Sequence, residues 1–390
     1  MREEYSKDYD DFTLTDYSTD ELSGSLSPFT FLCVVAVLML FGLIMAYSAS
    51  YDSAIREGLS HYHYLLEMVT FGFFAMITGI VLFFMPRAKL EKLFYFTLPL
   101  SFILLAMNVI SSLGGENVSI LSGFPDFNGS DAMIFSSVLM LAYILPKIRE
   151  KEGRGYFYLA FFILSLLITL MMTLSKNFCY SILFFLTMSV ALHAASMSRR
   201  YVFFYLLFNL TLVVFVILSS QTFLSSFFSR LMPYYWDTSD ALSASNCLSA
   251  IAEGGIFGKG IGSSYYKLGQ IGNVEDEYVY AVIAEEVGLV GTLMILLFFF
   301  LFLFLNIRCA HRSKKSGDDY IRIVSLSFSF MIVFKSLLSM LSSCSVIPSS
   351  GISMPFFSAD GFSYFLTITE CAFLYRFMHI TGRGYEKVRD

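Results

Sequence analysis

Long uncharged apolar runs alternate with short polar segments along most of the chain. A transmembrane helix needs about 20 mainly apolar residues to cross about 30 Å of hydrocarbon. Ten runs reach or approach that length, and we expect Pro146 to end the fourth. The pattern therefore predicts ten membrane-spanning helices, at residues 28–50, 63–85, 93–111, 131–146, 156–174, 178–197, 201–220, 278–306, 321–345 and 363–379.

The composition fits a chain whose main solvent is lipid. Hydrophobic residues make up 56% of the chain and charged residues only 15%, whereas a soluble domain carries about 25% charged residues. This excludes disordered, collagen-like, coiled-coil and secreted disulfide-scaffold proteins. The net charge of −5 provides no positive field that would attract nucleic acid. We predict an all-α polytopic membrane protein.

The basic residues orient the predicted helices in the membrane. If the N-terminus lies inside, 18 of the 26 lysines and arginines fall in inner segments and three fall within spans. The outer segments then hold only Arg56, Lys176, Arg230, Lys259 and Lys267. Because cytoplasmic loops carry an excess of Lys and Arg, we expect both termini to be cytoplasmic.

The chain divides into three parts. Residues 1–27 are polar and acidic, and we expect them to form a disordered cytoplasmic tail. Residues 28–380 form the membrane domain, and residues 381–390 a short basic cytoplasmic tail. Two outer loops, at about 112–130 and 221–277, are long for a compact helical protein, which usually indicates function.

The longer outer loop contains the glycine-rich stretch GGIFGKGIG at 254–262. No predicted strand precedes it, and its spacing is not that of a phosphate-binding P-loop. We therefore interpret it as tight backbone packing in a segment that re-enters the membrane.

Acidic residues cluster where this loop meets the eighth span, at Glu275, Asp276 and Glu277, with Glu285 and Glu286 following. Carboxylates at a membrane boundary are costly to bury, so they tend to be exposed, paired or functional. One of them could act as a general base on a lipid-linked sugar. Two alternatives remain open. Glu275 and Asp276 could simply be solvated at the edge of the loop, and Glu285 or Glu286 could stabilise the N-terminal end of a helix.

Three basic residues need an explanation in this scheme. Departure of a lipid pyrophosphate requires cations that offset its charge, and Lys259 and Lys267 lie in the same half of the loop; ordinary solvation is their alternative. Lys335 lies near the middle of the ninth span, so we expect it to face a polar interior or a partner. No metal-ligand cluster is visible, so no cofactor is expected, although a divalent cation stays open.

Three stretches together resemble the SEDS family (shape, elongation, division and sporulation). LMLFGLIMAYSAS at 38–50 is similar to the family's first span. GGIFGKGIGSSYYKLGQIGNVEDEYVYAVIAEEVGLVG at 254–291 resembles GGLFGxGxGxSxxKLxxLPExHTDFIFAxIxEExGxxG without a gap. PSSGISMPFFSADGFS at 348–363 is similar to PxTGxPLPFxSYGGSS.

The resemblance implies a SEDS-type fold and a peptidoglycan glycosyltransferase in the bacterial inner membrane. Such a protein polymerises lipid II at the outer face, among membrane lipids and with a class B penicillin-binding protein, in division, elongation or sporulation. The family's catalytic Asp falls on Glu277, whose side chain is one methylene longer, and Asp276 is the second candidate. The implied substrate-binding residues are Lys267, Lys259, Asn117, Ser358 and Ser363, and the implied structural positions are Gly254, Gly255, Gly258, Gly260, Glu286, Pro355 and Gly361.

Several family positions differ in this chain. The family's GAxRWI reads GENVSI at 115–120, QPSE reads NGSD at 128–131, and PDLGT reads KNFCY at 176–180. These losses support a second hypothesis, a catalytically impaired scaffold for a class B penicillin-binding protein. A flippase for the lipid-linked precursor is a third, although we find no inverted repeat of the kind that transporters carry.

Overall fold

A computed structural model describes residues 27–114, 127–149, 154–175, 178–219, 221, 224, 239–347 and 350–387. Within these ranges the chain forms helices joined by turns, without a strand. The acidic tail and Asn117 lie outside the described residues. The helices are α1 (Ser27–Arg56), α2 (His63–Phe84), α3 (Arg87–Glu91), α4 (Phe94–Gly114), α5 (Gly129–Arg149), α6 (Arg154–Leu174), α7 (Phe178–Ala194), α8 (Arg199–Ser219), α9 (Ser239–Gly254), α10 (Val279–Lys315), α11 (Asp319–Ser343) and α12 (Gly361–Lys387).

The predicted spans coincide with α1, α2, α4 to α8 and α10 to α12. Six helical stretches are long and apolar enough to cross a membrane, namely α1, α2, α3 with α4, α5, α10 and α11. Shorter apolar stretches lie in α6 and α7. The predicted all-helical, multi-pass membrane fold is confirmed.

Two local predictions are wrong. Pro146 does not end the fourth span, because α5 continues through it to Arg149; a proline removes one backbone donor, and here the helix tolerates that loss. The segment 221–277, predicted as a loop, contains α9. This helix buries a row of small residues at every third position, Ala241, Ala244, Cys247 and Ala250.

The row of small residues explains why α9 left no signal in the sequence. Serine, asparagine and acidic residues separate its apolar positions, so no long apolar run marks the helix. Its apolar stripe packs against α10, as an amphipathic helix packs against a protein surface. The helix therefore lies beside α10.

A buried ion pair joins three helices in the middle of the protein. Lys335 of α11 places its Nζ atom 2.6 Å from Oδ2 of Asp131 on α5. Ser363 of α12 accepts a hydrogen bond from Lys335 at 2.9 Å and donates one to Asp131 at 3.0 Å. All three side chains are almost fully buried. The polar environment that we predicted for Lys335 is therefore present.

Removing one partner of this pair leaves the other charge buried without compensation. We expect Lys335→Ala to lower the free energy of unfolding by about 3–5 kcal/mol. The double variant Asp131→Leu with Lys335→Met should recover most of that loss, because apolar groups replace both charges. Thermal unfolding in detergent micelles measures both. Equal destabilisation by the single and the double variant would contradict this account of the pair.

Candidate functional site

The helix α10 is interrupted at Gly288, whose backbone angles (φ 66°, ψ −168°) are not helical. The glycine-rich stretch crosses this break and binds the backbone groups that the break exposes. The N–H of Lys259 donates to the carbonyl of Glu285 at 3.0 Å, and the N–H of Gly260 donates to the carbonyl of Glu286 at 2.9 Å. These bonds satisfy polar backbone groups that would be costly to bury unpaired.

Two glycines allow the loop to approach α10 this closely. A Cβ atom on Gly254 would lie 2.0 Å from the carbonyl oxygen of Ala284. On Gly258, whose φ is +76°, a Cβ atom would lie 2.2 Å from the carbonyl oxygen of Glu286. No side chain fits at either position without moving backbone. This contact corresponds to the tight backbone packing that the sequence suggested.

Glu285 and Glu286 are buried next to the break and form two ion pairs with the loop. Lys259 pairs with Glu285 and Lys267 pairs with Glu286, each at 2.7 Å. Ser48 of α1 donates to Glu286 at 2.7 Å and accepts from Lys267 at 2.9 Å. Both lysines that the resemblance implied for substrate are therefore bound to protein carboxylates, and their role in substrate binding stays a prediction.

Lys259 has a second acidic partner, Glu253 at the end of α9, at 2.5 Å. The hydrogen bond between them is the largest cause that raises the pKa of Lys259 above its usual range, with Glu285 adding to it. The same bond lowers the pKa of Glu253. The loop thus keeps a permanently charged ammonium group at this surface.

Glu277 lies directly before α10, and its side chain is only 5% exposed. Ser342 of α11 donates a hydrogen bond to its Oε1 atom at 3.0 Å, and Ser339 donates to its main-chain carbonyl at 3.1 Å. The chain turns here at Asn273, which has a φ of 50°. Asp276, in the same turn, is half-buried.

The neighbouring Glu275 attaches this turn to two other segments. Its carboxylate accepts a hydrogen bond from Ser53 of α1 at 2.7 Å, and its carbonyl accepts one from the N–H of Ala359 at 2.9 Å. The acidic turn is therefore tied to α1 and to the segment 350–360, and is more than a solvated loop edge.

The segment before α12 carries the third motif. Pro355 and Ser358 are buried, and the Asp360 carboxylate accepts a hydrogen bond from the N–H of Ser363 at 3.0 Å. Desolvation raises the pKa of Asp360 to about 6; Asp131 contributes in the same direction, and the bond from Ser363 opposes it. A carboxyl group with this pKa changes charge under mildly acidic conditions.

The structure distributes the implied site residues over three places. Lys259, Lys267 and Glu286 lie at the break in α10, and Glu277 lies at the start of the same helix. Ser363 belongs to the buried pair of Lys335 and Asp131. Gly361 packs against α2, where a Cβ atom would lie 2.5 Å from Phe71. Gly255 (φ 56°) turns the loop in open space.

Sequence reasoning missed the two serines that contact Glu277. Ser339 and Ser342 follow Lys335 at intervals of four and three residues, which places all three on one face of α11. That spacing of polar residues within an apolar helix was the available signal. Among the described residues, no group of three or more His, Cys, Asp and Glu is arranged to hold a metal ion, and the expectation of no cofactor stays a prediction.

Curated relatives match this chain over most of their length. A probable peptidoglycan glycosyltransferase FtsW from Borreliella burgdorferi is 26% identical over 87% of this chain and 93% of its own. A protein of the same name from Coxiella burnetii is 25% identical over 92% and 98%.

Solved structures share the fold. A chain from a structure entitled "Structural coordination of polymerization and crosslinking by a peptidoglycan synthase complex" matches with a TM-score of 0.68 at 19% identity, over 90% of this chain and 98% of its own. The rod shape determining protein RodA of Thermus thermophilus matches with a TM-score of 0.62 at 18% identity, over 90% and 96%.

A family model named for FtsW, RodA and SpoVE, and described as "Cell cycle protein", matches residues 29–382. This match spans the whole membrane domain, including both segments that build the acidic turn and the break in α10. The chain therefore belongs to the FtsW/RodA/SpoVE family of cell cycle proteins, the SEDS family.

Proposed function

We propose that this protein is a peptidoglycan glycosyltransferase that polymerises lipid II, with Glu277 as the general base. The relatives that match over most of both chains carry the name of this activity. The observation on which the proposal depends is the buried Glu277 carboxylate, held by Ser342 where the outer segment enters α10. It occupies the position at which the family resemblance implies an acidic catalytic residue.

In the proposed reaction, Glu277 takes the proton from an acceptor sugar hydroxyl. The freed oxygen attacks the anomeric carbon of the donor, and the bond between that carbon and the lipid pyrophosphate breaks. The pyrophosphate leaves with the bonding electron pair, and the proton stays on the carboxyl group until water removes it. Each cycle adds one disaccharide to the strand.

The departing pyrophosphate needs a positive group near it. Lys267 is the less accessible of the two loop lysines, because its side chain is 7% exposed and its ammonium group is bound to Glu286. The side chain of Lys259 is 31% exposed, although it is paired with Glu253 and Glu285. We therefore assign Lys259 as the loop cation that a bound pyrophosphate reaches.

We extend the proposal to location and partner. Lipid-linked disaccharide is used at the outer face of the bacterial inner membrane, so the acidic turn would face outward and both termini would lie in the cytoplasm. A class B penicillin-binding protein would crosslink the strands made here. The fold shared with a chain from a peptidoglycan synthase complex, whose title couples polymerisation to crosslinking, supports this partner.

Substitution of Glu277 tests the base. We expect Glu277→Gln to abolish glycan strand synthesis, because an amide does not accept the proton. Glu277→Asp should keep a measurable rate that is reduced about a hundredfold, since the carboxylate moves by roughly one methylene. The assay is polymerisation of purified lipid II by the protein together with its penicillin-binding protein, with strand lengths separated on gels.

Glu91→Gln is the matched control, because Glu91 is a carboxylate at the opposite end of the membrane domain, paired with Arg87. Asp276→Asn tests the second candidate base, and loss of strands in this variant alone would transfer the role to Asp276. Strands of normal length from Glu277→Gln would contradict the proposed base. An inactive wild type within an intact complex would favour the scaffold hypothesis.

The orientation is tested by labelling single cysteines. In a variant without the six native cysteines, we expect Ser60→Cys to react with a membrane-impermeant maleimide in intact spheroplasts. Ser316→Cys should react only after the membrane is opened, since it lies in an inner turn. Both positions are exposed, so access depends on the side of the membrane alone. The opposite labelling pattern would overturn the proposed topology.

A further inference from the structure

We infer that Ser342 is a positioning residue that holds the Glu277 carboxylate in the direction that the proposed reaction needs. This inference rests on the proposed function of Glu277 and extends it to α11. Ser342 is 1% exposed, and its Oγ atom lies 3.0 Å from Oε1 of Glu277. Nothing in the family motifs quoted above contains this residue.

Ser342 also contacts the segment that precedes α12. Its Oγ atom accepts a hydrogen bond from the N–H of Ser350 at 3.3 Å and donates one to Oε1 of Glu277 at 3.0 Å. A serine hydroxyl has one proton and accepts with its lone pairs, so it makes both bonds at once. The hydroxyl is therefore held between the acidic turn and the segment 350–360, and it fixes the direction in which the Glu277 carboxylate points.

The helix that carries Ser342 is fixed against rotation. Two turns below, on the same face of α11, Lys335 is bound to Asp131 at 2.6 Å. One turn below, Ser339 donates to the main-chain carbonyl of Glu277 at 3.1 Å. A helix that is held at several points positions a side chain more precisely than a loop does. This face of α11 thus positions both the main chain and the side chain of Glu277.

Removing the Ser342 hydroxyl should change catalysis in a defined way. A hydrogen bond to a charged group is worth enough that its loss corresponds to about a tenfold to hundredfold change in rate. In Ser342→Ala we therefore expect a kcat that is lower by this factor and a nearly unchanged KM for lipid II. We also expect a shifted infrared stretching band of the Glu277 carboxylate, because the carboxylate loses a hydrogen-bond donor.

The experiment compares variants along one face of α11. Ser342→Thr keeps the hydroxyl and should keep the kcat and the carboxylate band of the wild type. Ser339→Ala also removes a buried hydroxyl near Glu277 but leaves the carboxylate contact, so the carboxylate band should stay in place. Ser336→Ala removes a buried hydroxyl that donates to Ile332 of its own helix, and controls for packing. A carboxylate band in Ser342→Thr or Ser339→Ala displaced as far as in Ser342→Ala would overturn the inference.

Two results separate this inference from the proposed function. If the wild type polymerises lipid II and Glu277→Gln does not, while Ser342→Ala keeps the wild-type kcat and carboxylate band, the inference fails and the function stands. If the wild type makes no strands, infrared spectroscopy still tests the contact. Difference spectra against Glu277→Gln identify the band of the Glu277 carboxylate, and an unchanged band in Ser342→Ala overturns the inference.

Discussion

Two adjacent carboxylates, Glu285 and Glu286, hold the glycine-rich segment of this protein against its membrane helices. Both are buried in the first turns of α10, where an unpaired charge is costly, and each is neutralised by a lysine of the glycine-rich segment. The pairing brings the loop onto the break at Gly288, where its N–H groups bind the exposed carbonyls. The ion pairs of Glu285 and Glu286 and the backbone hydrogen bonds at Gly288 therefore depend on each other.

The acidic turn is built on this arrangement. Because the loop is fixed at the break, the chain re-enters the membrane at a defined point, and Glu277 is placed against α11. That helix is itself held by the Lys335–Asp131 pair. The candidate base therefore lies between two sets of ion pairs. One set joins Glu285 and Glu286 to the loop lysines, and the other is the Lys335–Asp131 pair in the core. Both sets are formed without bound substrate.

The departures from the family pattern have a physical meaning in this structure. Asp131 stands where the family motif has a glutamate, whose side chain is longer. Its carboxylate is bound by Lys335 and Ser363. Glu277, in the position of a shorter family aspartate, is bound by Ser342. Each altered acidic residue has a specific partner on α11. Lys335 compensates the charge of Asp131, and Ser342 donates a hydrogen bond to Glu277.

The sequence by itself determined the membrane class, the spans and the candidate acidic turn. Apolar runs long enough to cross a bilayer are a local property, and so are the motif letters that surround Glu277. The sequence also predicted polar neighbours for Lys335, because a charged side chain in the middle of a membrane span is costly without them. The tertiary structure alone decided what α9 packs against and how α10 breaks. It also decided which groups Lys259, Lys267 and Glu277 bind. Those contacts join segments that are far apart in the chain, such as Ser48 and Glu286, and no local pattern specifies which distant partner neutralises a given charge.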